Sequence, residues 1–359
     1  MTIAVVASSR LLDPMIAQAH EAGDTEIWAP AGLPAILGRI PGRIGAFVAR
    51  RSIAADVRGP ISIAQAALRL WAGERTDRSY QADFLVRVAI DRWSASQVRT
   101  RKPKVVIATS LAARETFAAA RELGARCVLA IDLPLLRVLH RDLDRAAEHW
   151  PERAFLRRFR APSWAIARQE SERVLADLIL VRGPYARAAC LADGISASKL
   201  AMLPAAPAPV IASPDHRVRR VRLAGLAAAR HGIDTALAAT RRLGVTLVVR
   251  AGEGTEPADL TSLPGVATGG EVDAILCPAI CETYPPELRA TGIPVIASPM
   301  ASVDGCGPDP FDARAFADAI ELALSSPSRH DPADPLDPGS TSPRLGSTAS
   351  IAPLLSLLT

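Results

Sequence analysis

The chain has 359 residues, 49% of them hydrophobic, with 42 basic and 37 acidic side chains and a net charge of +5. That length serves two cores, since one domain usually takes about 100 to 200 residues, and an aromatic content of 4% leaves too few rings to interleave with basic residues as nucleic-acid binding needs. Five scattered cysteines (Cys127, Cys190, Cys277, Cys281, Cys306) and a start, "MTIAVVASSR", without the pattern of a leader fit a reducing cytoplasm.

An uncharged run, "LAMLPAAPAPVIASP", unexceeded in length elsewhere in the chain, holds four prolines. It falls short of the roughly 20 apolar residues of a membrane helix. Charge is uneven: residues 1–205 carry 30 basic and 20 acidic side chains, the remainder 12 and 17. Only Lys102, Lys104 and Lys199 are lysines. The arginine excess reads either as a preference for Arg on solvated faces or as attraction to an anionic acceptor or lipid surface. The second reading is best placed in "LPAILGRIPGRIGAFVARR", where Arg39, Arg43, Arg50 and Arg51 interleave with apolar residues.

Along the chain, β-branched runs alternate with Ala-, Leu- and Arg-rich segments of helical period. "TIAVVA" precedes "DPMIAQAHEAG", "KVVIATS" precedes "LAARETFAAARELG", and "RCVLAID" precedes Arg-rich helices. Such alternation predicts parallel sheets covered by helices. "LILV" is a further strand; Gly183-Pro184 opens a helix over 184–192, Asp193-Gly194 closes it, and "LAMLP" follows as a strand. After the Pro-rich linker "PAAPAPVIASPDH", the alternation restarts. It runs "RRVRLAGL", a helix over 231–243, "TLVVRAGEG", "DAILCP", a helix over 282–290, "PVIAS" and a helix over 313–324. The expected architecture is α/β, with two tandem Rossmann-like domains at 1–204 and 205–325, then a loosely ordered Pro- and Ser-rich tail at 326–359.

No glycine triplet follows "TIAVVA", and no Walker-type loop or Gly-x-Ser-x-Gly elbow occurs. Cys277 and Cys281 have no neighbouring His or second Cys pair in sequence. No metal and no cofactor is therefore expected. In open α/β sheets ligands bind outside the carboxyl ends of the strands, which directs three loops to one crevice. They carry Arg230-His231-Gly232, Gly252-Glu253-Gly254 and Glu282-Thr283-Tyr284. A helix starting near Glu282 to Pro286, with the Pro-Pro step compatible with its first turn, would aim free N–H groups there and favour a phosphate. Ser110 and Asp132 end first-domain strands and are expected to face an acceptor.

Four stretches, "ESERVLADLILVRGPYARAACLADGISASKLAMLP", "LAGLAAARHGIDTALAATRRLG", "LVVRAGEGTE" and "CETYPPELRATGIPVIAS", resemble the GT-B fold glycosyltransferases of the retaining family 4 group. The resemblance covers much of 169–298; residues before it match in layout alone. It implies two domains facing across a cleft, with the second holding a nucleoside-diphosphate sugar. It also implies that an Arg and a Lys after the first strand of the second domain grip the diphosphate. Leu226 and His231 stand in those places here, with Arg230 the strong cation of that loop. Gly225, Gly252 and Gly254 match the family glycines. Glu282 and Glu287 match its two glutamates, although only four residues separate them, fewer than the family has.

The resemblance thus implies Glu282 as the catalytic carboxylate and Gly225, Arg230, His231, Gly254 and Glu287 as donor-binding residues; Thr283 and Tyr284 are expected as donor-binding neighbours that line the same pocket, or else cap the helix. The implied activity is cytoplasmic transfer of a sugar to a glycan or lipid-linked acceptor in surface polysaccharide synthesis, with contact to the inner membrane face through the arginine-rich first domain as a further expectation. A non-catalytic binding or scaffolding relative is the alternative, favoured by Leu226 and the short glutamate spacing.

Overall fold

The computed structural model describes residues 3–6, 25–28, 57–58, 76–131, 134–153, 160–202, 219–250, 262–285, 288, 292–302 and 304–325. Strands β1 (Ile3–Val6), β2 (Thr25–Trp28), β3 (Val57–Arg58), β4 (Val105–Thr109), β5 (Arg126–Ala130), β6 (Leu178–Val181) and β7 (Leu200–Met202) form one sheet. Its order is β3-β2-β1-β4-β5-β6-β7, with parallel pairing throughout. All residues of β1, β4 and β6 are buried, as parallel strands covered on both faces must be. The covering helices are α1 (Thr76–Arg101), α2 (Arg114–Glu122), α3 (Leu136–His149), α4 (Ser163–Leu175) and α5 (Pro184–Ala192).

The second sheet contains β8 (Arg220–Leu226), β9 (Thr246–Arg250), β10 (Val266–Ala267), β11 (Ala274–Cys277) and β12 (Val295–Ala297). Its order is β10-β9-β8-β11-β12, again parallel. Helices α6 (Ile233–Leu243) and α7 (Ala313–Ser325) pack on one face through Ile233, Ala236, Phe316 and Ile320. Strand order reverses between β8 and β11, so the loops leaving the carboxyl ends of these two strands border a crevice.

The helix expected over 282–290 does not begin where the sequence pattern placed it. Residues 282–285 run without helical structure, and Leu288 closes a short turn by donating its N–H to the Pro285 carbonyl at 3.1 Å. Proline supplies the reason: Pro285 and Pro286 bring no N–H donors, and each pushes the residue before it away from the α region. The stretch therefore offers no helix N-terminus to the crevice at Glu282. The helix expected over 13–23, the Arg-rich stretch at 33–51, the linker with the domain boundary at 204 and 205, and the tail at 326–359 lie outside the described residues.

The two domains meet through an apolar cluster. Leu136, Leu139 and Leu143 of α3 pack with Ala229, Ile280 and Cys281 of the second domain. Phe311 stacks near Trp150, with ring centroids 5.2 Å apart, and Arg145 bridges to Asp309 at 2.6 Å. Arg153 pairs with Asp234 at the start of α6. Ser110 faces inward rather than toward an acceptor. It is fully buried and accepts a hydrogen bond from Gln169 at 3.0 Å, because Gln169, Glu172, Arg168 and Arg87 together pin the loop after β4. Asp132 lies outside the described residues.

Candidate functional site

The crevice between β8 and β11 is built by glycine. Gly225, near the end of β8, has φ +78°, and a Cβ there would sit 2.6 Å from the His231 Nδ1, so the imidazole packs directly on the strand backbone. Gly232 has φ +76° and caps α6; a Cβ there would overlap the Pro278 carbonyl oxygen. The loops after β8 and β11 consequently touch backbone to backbone, with the Ile280 N–H donating to the Arg230 carbonyl at 3.2 Å.

These loops line a pocket of about 220 Å³. Gly225, Leu226, Arg230 and His231 come from the β8 side, Thr283, Tyr284 and Pro285 from the β11 side, Arg250 from the end of β9, and Arg182 from the first domain. Three guanidinium groups thus share one small cavity. None of the three forms an ion pair with a carboxylate among the described residues.

His231 is only 6% exposed, and its Nδ1 has no hydrogen-bond partner. Burial pulls its pKa down to about 4, helped by the Arg230 charge and opposed by a backbone hydrogen bond at Ala224. The imidazole is therefore neutral near pH 7, and the positive charge of the pocket belongs to the arginines.

Tyr284 joins the two domains. Its ring lies under the Arg182 guanidinium, 5.2 Å from ring centre to Cζ, and its carbonyl accepts from Arg182 Nη2 at 3.5 Å. Its hydroxyl presses on Gly183, where any Cβ would collide with it. Burial raises the phenol pKa, and the nearby Glu282 adds to the effect.

No protein-family model and no curated protein matches this chain in sequence. Solved structures do match. The apo form of the lipopolysaccharide outer core galactosyltransferase WaaB is 15% identical with a TM-score of 0.55, over 90% of this chain and 90% of that one. A glycosyltransferase from Rickettsia africae is 10% identical with a TM-score of 0.52, over 90% of this chain and 88% of that one. Two tandem parallel sheets in this arrangement decide the architecture. The chain has the GT-B fold. At such identities the likeness speaks for the fold and leaves the site to be argued from its own residues.

Within this GT-B chain, Gly225, Arg230, His231, Thr283 and Tyr284 come together in the pocket. Glu282 stands apart from the lining. It is 7% exposed, and burial pushes its pKa up to about 7, against the pull of Arg182 and with the push of Asp142. Asp142 itself lies on α3 and accepts from the Tyr185 hydroxyl at 2.7 Å. Glu282 is therefore buried beside the pocket rather than part of its lining. Gly252, Gly254 and Glu287 lie outside the described residues.

Sequence reasoning missed Arg182 and Arg250 as pocket residues. Both directly follow or end a β-run, at the carboxyl edge where ligands gather, and that position was the available signal. Among the described residues no group of His, Cys, Asp and Glu is arranged to hold a metal ion, and no helix is long and apolar enough to cross a membrane.

Proposed function

We propose that this protein is a glycosyltransferase that takes its sugar from a nucleoside diphosphate and binds the diphosphate in the arginine pocket. The observation that carries the reading is the convergence of Arg182, Arg230 and Arg250, unpaired, at the strand-order reversal of the second GT-B sheet. Glycosyl transfer passes through an oxocarbenium-like transition state while negative charge gathers on the departing diphosphate. Fixed cations aimed at that charge are each worth about 3 kcal/mol when well placed. In this reading the arginines supply the charge that Leu226 and the neutral His231 do not.

Gly225 and Gly232 let the His231 ring and the Pro278 carbonyl pack against the loop backbone, and Thr283 lines the pocket where the donor would sit. Retention of anomeric configuration, and an acceptor that is a glycan or lipid-linked sugar in surface polysaccharide assembly, follow from the resemblance to the family 4 group. A cytoplasmic site of action, with membrane contact through the Arg-rich first domain, belongs to the same reading.

A second reading has its own observation. Because Glu282 does not line the pocket, a relative that binds a nucleotide diphosphate without transferring sugar also fits. Calorimetric titration with UDP, GDP and their sugars, with product analysis, separates the two. The transferase reading expects binding that weakens at least about tenfold in Arg230→Ala, together with release of nucleoside diphosphate when acceptor is supplied. Binding without release supports the non-catalytic reading, and no binding at millimolar nucleotide removes both.

A further inference from the structure

The first domain keeps a buried charge cluster that the arginine pocket does not use. Arg168 of α4, only 4% exposed, sits among Asp91 of α1, Glu115 of α2 and Glu172 of its own helix. Asp91 and Glu172 are fully buried. One nitrogen, Arg168 Nη2, donates to an oxygen of Asp91 and to an oxygen of Glu115, which brings these two carboxyls within hydrogen-bond reach of each other. Arg114 of α2 approaches Glu115 from the solvent side, and Arg87 of α1 donates to the Ser110 carbonyl.

The same cluster grips the loop after β4. Glu172 accepts the Leu111 and Ala113 N–H groups at 2.7 and 3.0 Å, and the Leu111 carbonyl accepts from Arg168 Nε at 3.1 Å. Leu111 needs such a grip. Its φ of +67° lies in the left-handed region, where a side chain crowds its own backbone. That side chain is fully buried in the apolar cluster that joins the domains, together with Ile280 and Cys281 of the second. The shape of the loop is thereby felt at the domain interface.

Two carboxylates this close do not readily ionise together. Burial and the neighbouring Glu115 carboxyl push Asp91 up to about 7, against the bonds from Thr116 and Arg168. Glu115 goes the other way: despite its own burial, bonds from Asp91 and Arg168 hold it below the usual carboxylate range. Burial raises Glu172 as well, opposed by the two loop N–H groups and by Arg168.

We propose that Asp91 and Glu115 share one proton under Arg168, and that this proton locks the loop after β4, with Leu111, in its seat at the domain interface. As Asp91 and then Glu172 lose their protons, three carboxylates crowd Arg168, and opening of the strained loop relieves their repulsion. Neither Asp91 nor Glu115 lines the arginine pocket, so the lock acts whatever that pocket binds. The direction follows from linkage. Asp91 gives up its proton near 3.8 in an opened, solvated cluster and only near 7 in the closed one, so closure weakens as pH rises between these values.

Amide hydrogen exchange across residues 109–117 of the full chain, corrected for the intrinsic pH dependence of exchange, tests the lock. Protection is expected to fall at least about tenfold from pH 5 to pH 7. Asp91→Asn keeps the size of the side chain and has no proton to lose, so its fall is expected to be at least about threefold smaller. Carboxyl-carbon NMR with labelled aspartate gives a second readout. One resonance, missing from Asp91→Asn, should titrate near pH 7 in the unmodified protein and at least about one pH unit lower in Glu115→Gln, which lacks the competing carboxylate. If Asp91→Asn does not fold, the movement of that resonance in Glu115→Gln carries the test. Protection that stays level between pH 5 and pH 8, a fall of undiminished size in Asp91→Asn, or aspartate carboxyls that have all finished titrating by pH 6 each overturns the lock.

Discussion

Buried at 7% exposure, the Glu282 carboxyl holds its proton up to a pKa of about 7, where an unfolded chain releases it near 4.5. The direction of the stability effect follows from linkage. Below the unfolded value both states are protonated and the group is neutral toward folding. As pH rises the unfolded chain ionises first, and the stability contributed by the protonated folded form is lost by the time pH passes 7. The loss approaches about 3 kcal/mol. Glu282→Gln keeps the shape and removes the titration, so its urea midpoint should match wild type near pH 4.5 and exceed it at pH 8. A variant less stable than wild type at pH 8 would mean that Glu282 stands ionised against Arg182 instead.

At the scale of elements, the tightest demand is on Gly232. Its left-handed backbone caps α6, and its missing side chain leaves room for the Pro278 carbonyl. Gly232→Ala adds backbone strain of about 1 to 3 kcal/mol and a collision costing about as much again. Its denaturation midpoint should fall by an amount equivalent to at least about 3 kcal/mol, and binding of UDP should weaken with it as the two loops separate. An alanine variant of wild-type stability would show that the loops can part freely. The same loops show what was legible in the sequence and why.

Buried parallel strands leave continuous apolar runs, and Pro at a first turn with Gly past a last one marks helix ends. The helix over 184–192 accordingly has the bounds that its punctuation implied. By contrast, the 26-residue helix α1 gave no clean stripe, because its buried face includes Arg87, Asp91 and Ser94. Asp91 caps the neighbouring helix α2, accepting from the Glu115 and Thr116 N–H groups at 2.9 and 2.8 Å, and Arg87 donates to the Ser110 carbonyl at 2.8 Å. Polar side chains that serve another element's backbone erase the periodicity that would announce their own. Arg182 was legible only as a residue at the carboxyl edge of β6, since its partner Tyr284 is more than one hundred positions away.

For the whole molecule the question is what keeps the two domains together when the arginine pocket is empty. The ion pair between Arg145 and Asp309 spans the interface, but its side chains are 54% and 45% exposed, and such pairs contribute about 0 to 1 kcal/mol. Ile280 is different. It is fully buried against Leu136, Leu139 and Leu143 of the other domain, so truncation removes apolar contact from both sides at once. Ile280→Ala should cost about 2 to 5 kcal/mol, whereas Arg145→Ala should stay within about 1 kcal/mol of wild type. Interfaces between domains of one chain are usually small enough to permit relative motion, and weakening this one should show in the cooperativity of unfolding. A calorimetric scan that is a single transition in the unmodified protein is expected to broaden or split in Ile280→Ala, and saturating UDP is expected to draw the two parts together again through the shared pocket. A single transition unmoved by Ile280→Ala would place the cohesion of the domains elsewhere. The apolar contact would then be passive, and cohesion would fall to the ion pairs of the interface, Arg145 with Asp309 and Arg153 with Asp234.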